Sequence, residues 1–383
     1  MGDCTLFIRS IDELKRLIRK IEFNKTEPEL MTELVNKAMR AGEGERERLR
    51  RVSQKSHELF KLLKEMEIFR KIEVADETME NLKRIPMGAV DGSFQVVGGI
   101  GGRWYAILGI SQIIAENGFT LNPIVKVDGG IEPIEAADER IARQTSEMMM
   151  MLGEIKSFRK IAEKLGLKGE SYIVIDGPII DPPMYAVEEY VADRVSALKY
   201  CYERDIGVVG FVKRIMGSNY LNFLKNELEE IQSMEFTNDL DLLSTVMFDA
   251  VKEMEGPVFT SPINYEEGIN EKNSLTFTYK CYKEKGLTVY YSYYKPLIRG
   301  RIFRIEYASF EELDEQNVLE KIDRILKIIN KVWTLPGMDE SLLTLIAHAK
   351  CNIRLGAAET LYYEIMARAL SEGNLHLFLE SLT

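Results

Sequence analysis

Residues 86–97, PMGAVDGSFQVV, residues 103–115, RWYAILGISQIIA, and residues 121–129, LNPIVKVDG, are three β-rich runs separated by GGIGG and ENG. Short turn segments between apolar runs of this kind predict an antiparallel meander. Downstream, residues 136–165 carry a long amphipathic pattern with no proline, which predicts a helix. After a break at GLKGE comes SYIVIDG (171–177), an almost wholly apolar run that suits a strand buried on both faces. AVEEYVADRVSALKYCYER (186–204) reads as a helix and IGVVGFVKR (206–214) as another buried strand.

The order is therefore three strands, helix, strand, helix, strand, the order of an RNase H-like core. The expected class is α/β: a mixed five-stranded sheet with flanking helices, an N-terminal helical arm and helical insertions. Upstream, residues 4–83 read as helical and charged, with Leu14, Leu17, Ile18 and Ile21 at helical spacing and a second stripe through Leu59, Leu62, Leu63 and Met66. Residues 216–285 look like a region that is helical from Tyr220 to Met254 and then irregular. LTVYYSYYKP (287–296) and RGRIFRIEYA (299–308) alternate as a hairpin pair, and the tail from 310 is helical. This gives four expected segments: an N-terminal helical region (1–85), the core (86–215), a mostly helical insertion (216–285) and a C-terminal hairpin with helices that completes the domain (286–383).

At 383 residues and 45% hydrophobic, the chain can bury a sizeable core. Its formal charge of −11 argues against a surface that coats nucleic acid, yet permits a local basic groove beside an acidic metal site. Cys4, Cys201, Cys281 and Cys351 are far apart and form neither a zinc pattern nor a disulfide framework. They read as free thiols in a reducing cytosol. The N-terminus lacks the apolar stretch of a signal peptide. No run approaches roughly 18 uninterrupted apolar residues, so no membrane span is expected and the location reads as cytoplasmic.

Two motifs carry chemistry. In AVDGS, Asp91 ends an apolar run and Gly92 permits a turn; in VIDGP, Asp176 does the same before Gly177 and Pro178. Either alone is an ordinary Asp-Gly turn. Together, at the ends of two buried strands, they place two carboxylates on one sheet edge. Such a pair repels unless a cation neutralises it. A third ligand is expected from the intervening helix, where Glu147 and Glu154 share a face; Glu147 is preferred, with Arg143 four residues before it. A cluster of this kind suits phosphodiester hydrolysis by metal ions. Lys213, at the end of GFVKR, would bring an ammonium to the same edge. His348, in SLLTLIAHAK, would join only if its helix folds back over the sheet. Lys295, Arg299, Arg301 and Arg304 form a run of cations without an acid, a candidate phosphate contact or a solvated hairpin face.

AVDGS, the helix with Arg143 and Glu147, VIDGP, GFVKR, RIFRIEY and SLLTLIAHAK, in that order, resemble the NurA nucleases, partners of the HerA hexameric ATPase. The resemblance covers about 86–214 and 286–355. It implies an RNase H-like fold, a homodimer, and manganese-dependent cleavage of DNA, with Mg2+ as an alternative metal. It also implies single-strand endonuclease and 5′→3′ exonuclease activity in end resection for recombinational repair. By the same resemblance Asp91, Glu147 and Asp176 become metal ligands, and Lys213 and His348 supporting groups. One departure stands out. The family often has a stretch like YPxPLxxAH before the histidine; here Glu340 lies eight residues before His348, and the nearest proline is Pro336. A non-catalytic DNA-end or ATPase-binding subunit on the same fold is the alternative, and an RNase H-like enzyme acting on RNA a third reading.

Overall fold

The computed structural model describes residues 28–100, 103–166, 169–181, 187–232, 234, 236–268 and 274–370. The early helical stripe at Leu14–Ile21 lies outside them. The chain divides into two compact units, residues 1–55 and 56–383. Helix α1 runs from Pro28 to Glu65; all that follows concerns the second unit. In it the order is β1 (Phe69–Lys71), α2 (Asp76–Lys83), β2 (Met87–Ile100), β3 (Arg103–Ala115), β4 (Ile124–Glu135), α3 (Glu139–Leu165) and β5 (Ser171–Ile175). Then come α4 (Glu188–Tyr202), β6 (Ile206–Val212), α5 (Asn219–Glu227), α6 (Glu229–Gln232), α7 (Asp239–Glu253), β7 (Val258–Thr260), β8 (Ile263–Asn264) and α8 (Ser274–Lys283). The chain closes with β9 (Thr288–Lys295), β10 (Phe303–Ser309), α9 (Glu315–Lys327), a π-helical turn (Ile328–Val332), α10 (Leu342–Cys351) and α11 (Leu355–Leu370).

The expected core is present. β2, β3 and β4 form the antiparallel meander, and β5 and β6 add in parallel on the other side of β2. The strand order β4-β3-β2-β5-β6 is the RNase H-like arrangement. The sheet, however, does not stop at five strands. The hairpin β9–β10 is there, and β10 pairs antiparallel with β6, carrying the sheet on through β9, β7 and β1 to ten strands, with β8 on β9. The stretch expected to be wholly helical before residue 83 thus contains β1, and the irregular stretch after Met254 contains β7 and β8. Those strands have two or three residues each, too few for an alternating pattern to register.

β5 is buried at every position, as an apolar run between two neighbours must be. α3 packs across β2 and β3, its N-terminus capped by Asp138, whose carboxylate accepts from the Ile141 N–H at 2.8 Å. The principal core lies around Phe211, Phe303, Ile305, Ile322, Leu326 and Trp333, on the face covered by α9 and α10. Among the described residues no helix is long and apolar enough to cross a membrane. Cys201 and Cys351 are buried free thiols and Cys281 is a half-buried one.

Candidate metal centre

Asp91 does not end its strand. β2 continues through it to Ile100, paired with β3 all along, with Asp91 opposite Ser111. What ends is the other neighbour: β5 pairs with β2 only from Met87 to Val90, opposite Tyr172 to Ile175. Beyond that point β2 has an open flank. The chain leaves β5 there, the Asp176 N–H still donating to the Val90 carbonyl at 3.2 Å. Both carboxylates therefore sit in one notch of the sheet.

Gly92 is not a turn residue either. It has no positive φ among the described glycines. It lies under α3, where a Cβ would come 2.6 Å from Met150 Cγ and 2.9 Å from Glu154 Oε1. The glycine is needed for helix and sheet to approach, a packing demand that reads like a turn in sequence.

α10 does fold back over the sheet. Ser111 Oγ donates to the Ala347 carbonyl at 2.8 Å, Ser93 Oγ to the Cys351 carbonyl, and Gln95 Nε2 to the Ile353 carbonyl at 2.9 Å. A Cβ on Gly109 would meet the Cys351 carbonyl at 2.6 Å, so β3 is bare where the helix ends. This seats His348 Nδ1 3.0 Å from Asp91 Oδ2, with the imidazole side chain 57% exposed. Cys351 Sγ donates to the same oxygen at 3.4 Å. Ligand atoms of Asp91, Asp176 and His348 all lie within 4.8 Å of one another.

Lys213 follows β6 directly. Its Nζ is 2.6 Å from Asp176 Oδ2 and is also paired with Glu340. Glu340 is 5% exposed and also accepts from Arg301 Nη2 at 2.8 Å. The residue that departs from the family pattern is thus wired into the site: it shares the ammonium with Asp176. No periodicity marks it in sequence; its offset of eight from His348 is the only trace.

On α3 the acid brought beside Asp91 is Glu154, 7% exposed and within its electrostatic reach. Glu147 is half-buried two helical turns earlier, about 10 Å along the axis, and takes no part in the cluster around Asp91, Asp176 and His348. Met150 and Glu154, not Glu147, overlie Gly92, and Glu154 too lies outside the trio whose ligand atoms are within 4.8 Å of one another. Arg143 pairs with Glu139.

The basic run also changes meaning. Lys295 is buried and donates to the Gly300 carbonyl; Arg304 is buried against Glu306; Arg301 is held by Asp339 and Glu340; Arg299 is exposed. Lys295 and Arg304 lie in strands buried at every position, and Arg299 and Arg301 in the connection between them, so the run does not make one surface patch.

Electrostatically the site is short of positive charge. Burial and then the negative Asp91 push Glu154 up to about 8. Burial and then Asp91 raise Asp176 to about 6, against the pull of Lys213. Burial raises Asp91, opposed by Cys351 and His348. Although burial opposes it, Asp176 and Glu340 hold the Lys213 ammonium above its ordinary value. Clustered carboxylate oxygens with one imidazole are a fitting donor set for a hard or borderline divalent cation, which would relieve this excess of negative charge. The cluster is a candidate metal site.

A ladder of this order, with acids gathered at the notch between its parallel strands, is that of an RNase H-like nuclease. The NurA domain model matches residues 86–349. The chain belongs to the NurA family. Among solved structures it is similar to a NurA crystallised with manganese, at 11% identity and a TM-score of 0.44, covering 84% of this chain and 98% of that one. It is also similar to the catalytic domain of human Endonuclease V (13% identity, TM-score 0.33, 83% and 98% covered) and to Endonuclease V of Bacillus subtilis (10%, 0.32, 77% and 97%). No curated protein matches it significantly in sequence.

Proposed function

We propose that the protein is a manganese-dependent deoxyribonuclease, with Mg2+ as an alternative metal, holding its cation through Asp91, Asp176 and Glu154 with His348 alongside. The observation that carries this reading is the convergence of Asp91, Asp176 and His348 within 4.8 Å at the notch. Family membership supports the rest: single-strand endonuclease and 5′→3′ exonuclease action, a HerA-like hexameric ATPase as partner, a homodimer, and DNA end resection for recombinational repair in the cytoplasm.

When bound, the cation supplies Lewis acidity toward a phosphodiester and lowers the pKa of water. The chain's own residues do the positioning. Asp91 is fixed by the β3 ladder on one side and by His348 and Cys351 on the other. Lys213, anchored between Asp176 and Glu340, holds a positive charge where negative charge would develop on a phosphoryl group. His348 bonds Asp91 through Nδ1, which leaves Nε2 as the ring nitrogen able to exchange a proton with substrate. Beside Cys351 a groove of about 690 Å3, walled by Ile107, Val127 and Ile353 with Lys350, Arg354 and one acid, Asp128, would take a single strand: two cations for phosphates and apolar walls for bases.

The test is cleavage of single-stranded DNA with Mn2+ by the wild type and by Asp91→Ala and Asp176→Ala. Both variants are expected to fold and to be inactive. A variant that cuts like the wild type overturns the assignment. A wild type that binds DNA but cuts none, with its ATPase present, would favour the non-catalytic subunit.

A further inference from the structure

The loop that carries Asp176 is held by groups that make no hydrogen bond to Asp91, Asp176 or His348, although the Arg194 charge reaches Glu154. From Asp176 to Asp181 the chain turns back over the sheet, and its backbone polar groups need partners once buried. Arg194 on α4, 1% exposed, supplies two: Nη2 donates to the Pro178 carbonyl at 2.7 Å and Nε to the Ile179 carbonyl at 2.9 Å. From the opposite side Glu306 on β10, fully buried, accepts from the Ile179 N–H at 2.6 Å. Each grip is itself braced. Arg194 faces Asp181 at 3.0 Å, which accepts from Tyr190 and Tyr282 at 2.6 and 3.1 Å. The second oxygen of Glu306 accepts from Tyr265 and from Arg304, both at 2.8 Å. Beneath lies Gly210 of β6. A Cβ there would stand 3.0 Å from the Gly177 carbonyl and 3.2 Å from the Ile179 nitrogen, so the loop rests on bare backbone.

A buried ion pair is weak evidence of stability, since a well-packed apolar pair often serves as well. Here the charged groups are spent on the backbone of one loop, and two different elements take opposite polar groups of the same residue. Only a planar guanidinium can serve two adjacent carbonyls and a carboxylate at once; an ammonium is a single point. We propose that Arg194 and Glu306 are positioning residues, a clamp that with Gly210 fixes the loop behind Asp176 and thereby the place of its carboxylate. This rests on the reading of Asp176 as a metal ligand. Outer partners that orient a ligand typically change metal affinity 10–100-fold when lost.

The test titrates metal-free full-length protein with Mn2+, followed by calorimetry and by the spin-resonance signal of free Mn2+. The proteins are wild type, Arg194→Lys, Glu306→Gln, Gly210→Ala and Asp176→Ala. Arg194→Lys keeps the charge, and Gly210→Ala moves the loop without changing any charge, so it carries the test if either charge variant fails to fold. Expected is a loss of about tenfold or more in Mn2+ affinity in each clamp variant. DNA cleavage by Arg194→Lys should recover as Mn2+ is raised, which a merely structural lesion would not do. Folded clamp variants with wild-type affinity, beside an Asp176→Ala that has lost it, overturn the clamp alone. An Asp176→Ala with wild-type affinity overturns the metal reading and the clamp's purpose with it.

Discussion

Raising the pH of the metal-free protein from 6 to 8 should destabilise it at Glu154. The carboxyl has an ordinary pKa of 4.5 in the unfolded chain and one of about 8 in the fold, because burial and then Asp91 disfavour its charge. A carboxyl raised on folding binds its proton more tightly in the native state. Its contribution is complete below about 4.5 and is lost as pH climbs through 8. Well below 8 each pH step removes about 1.4 kcal/mol, less as the group titrates, so pH 6 to 8 removes about 2 kcal/mol. Asp176, raised from 3.8 to about 6, has spent most of its effect by then. For 383 residues, at about 2 cal/mol/K of unfolding entropy each, this is about 3 °C in melting temperature. The assay is thermal unfolding in chelator at pH 6, 7 and 8, for wild type and Glu154→Gln, repeated with Mn2+. The wild type should lose about 3 °C, Glu154→Gln should not, and Mn2+ should restore the wild type at pH 8. The same decline in Glu154→Gln, or none in the wild type, refutes the reasoning.

Gly92→Ala should lower stability by about 1–3 kcal/mol, since its Cβ would intrude on Met150 and Glu154; chemical denaturation measures it. His348→Ala should leave the melting temperature nearly unchanged, the ring being 57% exposed, while slowing DNA cleavage by about 10²–10⁴-fold; an unaffected rate removes the histidine from the mechanism. Glu154→Gln should weaken Mn2+ binding and Glu147→Gln should not; calorimetry on the pair distinguishes them. Replacing Lys213 by Met strips Asp176 of its cation while Glu340 keeps Arg301, and should cost about 3–5 kcal/mol in the metal-free protein, read by denaturant unfolding.

The core was legible because its strands are long and its connections obey the parallel-strand rules. The RNase H-like order follows from five apolar runs and two helical patterns. The five added strands were half visible: β9 and β10 alternate over seven or eight residues, but β1, β7 and β8 are too short to show a period. The notch was legible only as two Asp-Gly pairs, and their reason was misread at Gly92, because a glycine under a helix and a glycine in a turn look alike in sequence. Which glutamate of α3 arrives at the notch depends on where the helix crosses β2, a tertiary quantity. Glu340 and the clamp residues Arg194 and Glu306 lie 164, 18 and 130 positions from Asp176 (340 − 176, 194 − 176, 306 − 176), and only the sheet order makes them neighbours.

The bond from His348 to Asp91 spans 257 residues of chain. On a ribosome adding about 5–20 residues per second, Asp91 is made roughly 13–50 seconds before the histidine that meets it. The meander and its carboxylate can pair well before that, but α10, which fastens Ser93, Gln95 and Ser111 to the C-terminal part, arrives late. A nascent chain, or one truncated before α10, therefore carries Asp91 and Asp176 without His348, and the cluster is complete only once α10 has been made.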